Sequence, residues 1–161
     1  MWRMIKARQT LASLLCVASF TAWAQGQPPA KPAGDPFYAE ASDCTAALKA
    51  RVVERQAQPR SAARDKAILS DTELGFAFIG VAYKKGLRNP EADQMLQAAE
   101  ARWKALRKAD QQVRQQACTT KGQQLMRDLS VLERFVVRNR AQARVDKLLD
   151  KDSTSAAPKA P

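Results

Sequence analysis

The chain contains no histidine. That absence removes the commonest general base near neutral pH and the commonest transition-metal ligand. It also rules out Ser-His and Cys-His nucleophile pairs and a haem-attachment motif. Glycine is scarce, six in 161 residues, and Gly75 and Gly80 lie in an apolar stretch with no Lys-Ser/Thr behind them, so no phosphate-cradling loop is present. Aromatic residues make up 6% of the chain and do not interleave with the basic residues of its second half, which disfavours stacking on nucleic-acid bases. The 16 acidic residues are dispersed among basic ones, so no carboxylate cluster has metal-ligand spacing. Together these absences predict a protein that is not an enzyme and takes no metal or cofactor.

Long apolar runs are missing as well. Arg3, Lys6 and Arg8 form a positive head, Leu11–Phe20 follows as an uncharged stretch of about ten residues, and Ala22-Trp23-Ala24 is a small-x-small site. A membrane-spanning helix needs about 20 apolar residues. The order instead reads as a secretory signal peptide over residues 1–24, cleaved after Ala24, which predicts a periplasmic or secreted protein. Leu15 stands directly before Cys16, where a lipid-attachment site needs a small residue. Loss of Arg3, Lys6 and Arg8 lowers the formal charge from +11 to +8.

Cys16 leaves with that segment, and Cys44 and Cys118 remain, 74 positions apart. An even pair in an exported chain predicts a disulfide. Closing a loop of that length contributes about 4 kcal/mol in the chain-entropy view. Residues 25–35, "QGQPPAKPAGD", read as a Pro/Gly/Ala linker, and residues 151–161, "KDSTSAAPKAP", as a disordered tail. A single domain over residues 36–150 is what is left.

Within those limits the periodicity is helical. Asp35-Pro36 reads as a cap and first-turn proline, and Phe37, Ala41, Cys44, Leu48 and Val52 share one face of a helix that Pro59 ends. Residues 60–69 read as a short helix or a loop. Ser70-Asp71-Thr72-Glu73 matches a capping box. Leu74–Tyr83, apolar on all sides, is open to a strand by periodicity alone, and the cap before it and Gly86 after it favour a buried helix. Asn89-Pro90-Glu91 opens a third helix, along which Ala92, Leu96, Ala99, Trp103, Leu106, Asp110, Val113 and Ala117 alternate by four and three, a heptad seam. A lone acid on such a seam pairs locally, and Arg114 stands four residues beyond Asp110. A break is expected at Thr119–Gly122, then a fourth helix with Leu125, Leu129, Leu132, Val136 and Ala143 on its face, closed by Val145, Leu148 and Leu149. The prediction is an all-α bundle of about four helices built on a long antiparallel hairpin of the last two. A partly exposed Trp103–Leu106 seam would make the chain a homodimer.

Phe76, Ile79, Gly80 and Tyr83, followed by Ala92, Leu96 and Ala99, fall on the spacings of one tetratricopeptide repeat. In such a repeat the small residues let two helices approach and the large ones fill the groove between them. The stretch resembles that family over residues 76–99. It departs from the pattern in an early Gly86, an overlong second helix and the lack of a second copy. The resemblance implies a helical adaptor.

The basic excess collects late in the chain. Arg140, Arg144, Lys147 and Lys151 step by four, three and four and share one helix face, a candidate anion-binding face. Arg127, Arg134 and Arg138 form a neighbouring stripe, and Lys104, Arg107, Lys108 and Arg114 mark the preceding helix. Two functions are expected from this. One is a non-catalytic accessory module that binds another envelope protein through apolar anchors. The other is a basic surface protein for anionic lipid or cell-wall polymer, with binding that falls steeply with salt. Nucleic acid is disfavoured by export.

Overall fold

The computed structural model describes residues 35–155, and the predicted signal peptide, most of the linker and the end of the tail lie outside them. Within that span the protein is all-helical: α1 (Phe37–Gln56), α2 (Ala62–Lys84), α3 (Glu91–Ala105), α4 (Lys108–Asp128) and α5 (Val131–Ser155).

α1 starts as its sequence indicates. The Asp35 carboxylate accepts the Phe37 amide at 2.8 Å and also takes Lys85 Nζ at 2.8 Å, which ties the start of α1 to the end of α2. α2 begins much earlier than the Ser70–Glu73 signature suggests. Ser61 is its N-cap and accepts the Arg64 amide at 3.1 Å, so Ser70 sits exposed in mid-helix. Nothing in "AARDKAIL" breaks a helix once Pro59 is passed, and the cap nearest the proline wins. α2 ends on Gly86, whose φ of 111° is the left-handed conformation a side chain disfavours, while the Leu87 amide bonds back to the Ala82 carbonyl.

α1 and α2 are antiparallel and form the centre. Tyr38 Oη donates to the Lys85 carbonyl (2.7 Å) at one end of the pair, and Arg64 Nη1 donates to the Gln56 and Gln58 carbonyls at the other. Small residues dominate the buried side of α1, Ala41, Ser42, Cys44, Thr45, Ala46 and Ala47, so α2, α3 and α4 all pack on it closely. Leu48, Ile68 and Phe78 are fully buried. Burial of the Phe78 ring alone is worth about 3 kcal/mol. A second, smaller cluster joins Val52, Ile68 and Val145, and it fastens α5 to α2. The bundle is thus built on the α1–α2 hairpin, and not on a hairpin of its last two helices.

The long third helix expected from the heptad seam is two helices. Leu106 and Arg107 are extended (ψ 145° and 154°), with no glycine or proline at the break. The Trp103 carbonyl accepts both the Leu106 amide (3.1 Å) and Gln111 Nε2 (3.0 Å), so Gln111 ties α4 to the end of α3 across the break. The break shifts the phase of α4 relative to α3. Ala99 and Trp103 remain buried, whereas Val113 is 71% exposed and Ala117 is also exposed; Gln111, Cys118 and Gly122 face inwards instead. Asp110 bonds Arg107, and Arg114 crosses to Asp43. The break expected at Thr119–Gly122 does not occur. Thr119 donates to the Gln115 carbonyl within a continuous helix, and Gly122 is there because α4 approaches α2 closely: a Cβ on it would lie 3.1 Å from Leu74 Cβ and 3.2 Å from Phe78 Cε2. α5 continues to Ser155, into the segment read as a tail.

The tetratricopeptide-like spacing does not produce that pairing. α3 packs chiefly on α1, and a Cβ at Gly80 would meet nothing within 4 Å.

Candidate functional site

Cys44 of α1 and Cys118 of α4 form a disulfide with 5.2 Å between their Cα atoms, and both are buried. Charged pairs extend this seam along the two helices. Lys121 bonds Glu40, Arg114 bonds Asp43 at 3.1 Å, and Lys108 faces Glu54 at 3.8 Å. Each such exposed pair is worth little alone. In series they set the register of α4 on α1.

These pairs divide the cations into two sets. Lys49, Lys84, Lys85, Arg102, Arg114 and Lys121 are engaged with carboxylates on neighbouring elements. Arg140, Arg144 and Lys147 are exposed on α5 and have no carboxylate within ion-pair distance among the described residues. Lys151 is exposed on the same side of the helix. The four predicted residues therefore share one face of one continuous helix.

α5 is oriented by its start. Ser130 and Glu133 make a reciprocal cap: the Ser130 amide donates to Glu133 Oε2 (2.8 Å), and the Glu133 amide donates to Ser130 Oγ (3.3 Å). Lys84 Nζ donates to Glu133 Oε1 at 2.8 Å and pins this cap to the end of α2. Lys84 first, then the Ser130 hydroxyl and amide, hold the Glu133 carboxyl down at about 2.

With that start fixed, the core face of α5 is Val137, Ala141 and Val145, with Leu148 and Leu149 partly buried behind them. Leu132, Val136 and Ala143, read from sequence as core, point to solvent. Val131, Leu132, Phe135 and Val136 are 77, 72, 60 and 42% exposed, an apolar cluster in the first turns of α5. Leu132, Val136, Arg140, Ala143 and Lys147 follow one another by four, four, three and four, so they lie along one strip about 22 Å long. Its first half is apolar and its second half cationic. Periodicity alone reveals the cationic half and wrongly assigns the apolar half to the core. α5 carries two overlapping apolar periodicities offset by one residue, and only one can face α2.

Among the described residues no three His, Cys, Asp or Glu side chains are grouped to hold a metal ion, and no helix is long and apolar enough to cross a membrane. Comparison with protein-family models, curated proteins and solved structures finds no match to this chain.

Proposed function

We propose that this is an exported, disulfide-clamped accessory module that binds another envelope protein through the outer strip of α5. The supporting observation is the exposed cluster Val131, Leu132, Phe135 and Val136. Four large apolar side chains in adjacent turns are more than scattered surface residues, and patches of this kind mark interfaces. The unpaired Arg140, Arg144 and Lys147 continue the strip, so the complementary partner surface is an apolar pocket beside an acidic patch. The Cys44–Cys118 disulfide suits an oxidising compartment, in keeping with the N-terminal export signal.

The test is a photo-crosslinking residue placed at position 135 in cells, followed by mass spectrometry of the adducts. The expected result is one dominant envelope protein with an acidic surface. Its adduct should survive raised salt and be lost in a Leu132→Ser/Val136→Ser variant that folds normally. A self-adduct would make the strip a homodimer surface. Cytosolic adducts would overturn export.

A second reading rests on the same unpaired cations: a basic surface protein held on anionic lipid or cell-wall polymer. It predicts diffuse adducts that vanish with salt and are lost on Arg140→Glu/Arg144→Glu/Lys147→Glu but kept in the Leu132→Ser/Val136→Ser variant.

A further inference from the structure

α5 packs chiefly on α2, with Val137, Ala141 and Val145 buried. Residues turn by about 100° per step around a helix, so Leu132, Val136, Arg140, Ala143 and Lys147 lie on the side opposite those three. All five are exposed, and so is Arg144 at the edge of the strip. No carboxylate stands on the strip itself: Glu133 bonds Lys84, and Asp146, on the other flank, accepts Gln142 Nε2 at 2.7 Å. Cations at the joints between helices are met by carboxylates of the fold, whereas Arg140, Arg144 and Lys147 are not.

The backbone groups in the middle of α5 are bonded within the helix. An extended segment crossing Val131–Val136 would therefore lay its own polar backbone on apolar side chains and find no hydrogen-bond partner there. A helix satisfies its backbone internally and presents only side chains. About 15 helical residues cover the length of the strip. Ala143, the small residue on it, lets a second helix axis approach towards the close end of the range of about 8–10 Å. Direction follows from charge: acids that meet the cationic half are best placed in the first turns of their own helix, where the free amides carry the positive end of its dipole.

Resting on the reading of the strip as a protein-binding surface, we infer that the partner covers it with one helix antiparallel to α5. The first two turns of that helix carry acids that face Arg140, Arg144 and Lys147, and its next two turns are apolar and lie over Leu132, Phe135 and Val136. A second copy of this chain fits in neither direction. Parallel copies set Arg140, Arg144 and Lys147 against themselves, and antiparallel copies set the cationic half over the apolar half with no carboxylate on either strip to meet it.

The test places a photo-crosslinking residue at position 135 of the full chain in one strain and at position 147 in another, and maps each adduct to the partner residue by mass spectrometry. The two positions are about 18 Å apart along α5. Both should mark one segment of one protein, with the 147 adduct about 12 residues N-terminal to the 135 adduct. A separation of about five residues would mean an extended segment, and the reverse order a parallel helix. Either overturns the inference and leaves the reading of the strip standing, as do adducts in two distant segments. Self-adducts overturn it in favour of a second copy. Absence of protein adducts, or adducts to lipid alone, overturns the inference and that reading together. Reversal to lysine of the partner acid nearest position 147 should weaken binding to the purified chain about fivefold, the scale of one exposed ion pair, and Lys147→Glu should restore it. Failure of that charge exchange overturns the assigned order of acids and apolar turns.

Discussion

Cys118 is bonded to Cys44 from 74 positions away, and α4 reaches α1 and α2 through that bond, the Gly122 contact, the partly buried Leu125 and Met126, and a row of surface ion pairs. The buried residues of α4 are Gln111, Cys118 and Gly122. Its apolar contribution to the core beyond these is the partly buried pair Leu125 and Met126 near its C-terminal end.

The Cys44→Ala/Cys118→Ala variant should therefore lose about 4 kcal/mol, the loop-closure value for 74 residues. The thermal midpoint should fall by roughly 10–20 °C. Hydrogen exchange should rise first in α4, before α1 and α2, whose shared core is intact. Uniform loss of protection would show that the bond supports the whole bundle instead.

Glycine has opposite meanings at two positions. Gly122→Val would place a side chain 3.1 Å from Leu74 Cβ and 3.2 Å from Phe78 Cε2, and the overpacking should cost about 1–3 kcal/mol. Gly80 is exposed in mid-α2 with open space around it, and Gly80→Ala should gain about 0.5–1 kcal/mol from helix propensity. Urea unfolding midpoints of the two variants should move in opposite directions from that of the parent.

How far the sequence discloses this fold depends on which signals are local. The all-helical class, the Asp35 cap and the Gly86 stop are legible because each is set by its neighbours. The disulfide is legible from cysteine parity together with the export expected from the N-terminal sequence pattern. The Ser-x-x-Glu signature, by contrast, occurs twice, at Ser70–Glu73 and at Ser130–Glu133, and only the second caps a helix. What separates them is the chain upstream: α2 has already begun at Ser61, whereas Leu129 is extended. The break at Leu106–Arg107 has no local signal at all and comes from packing, and it moves the inward face of α4 from Val113 and Ala117 to Cys118 and Gly122. The same limit hid the apolar half of the α5 strip, since the choice between two stripes belongs to α2.

Glu133 makes α5 sensitive to acid. Its carboxyl is held below the ordinary value of 4.5, at about 2, by Lys84 and Ser130. A depressed pKa in the folded state means that the stabilisation is fully present above about pH 4.5. It is lost as the pH falls from there through about 2. Urea midpoints of the parent and of Glu133→Gln should differ at pH 6 and converge towards pH 2. A constant gap across that range would exclude the carboxylate as its source. The Asp35 carboxyl is also lowered, by Lys85 and the Phe37 amide, and acts in both proteins alike.

Asp71 is the most consequential buried charge in the hairpin. It is 3% exposed and receives Arg51 and Arg55, whose side chains are 17 and 30% exposed. Removal of one member of a buried pair leaves the remaining charge desolvated without compensation, a loss of about 3–5 kcal/mol when both members are fully buried. The two arginines retain some contact with water, so Asp71→Ala should cost less, about 2–4 kcal/mol. Adding Arg51→Met and Arg55→Met to that variant should recover much of the loss, because the uncompensated charges go with it. If the triple variant is instead no more stable than Asp71→Ala, the carboxylate holds the α1–α2 register itself, and the cost is geometric and not electrostatic.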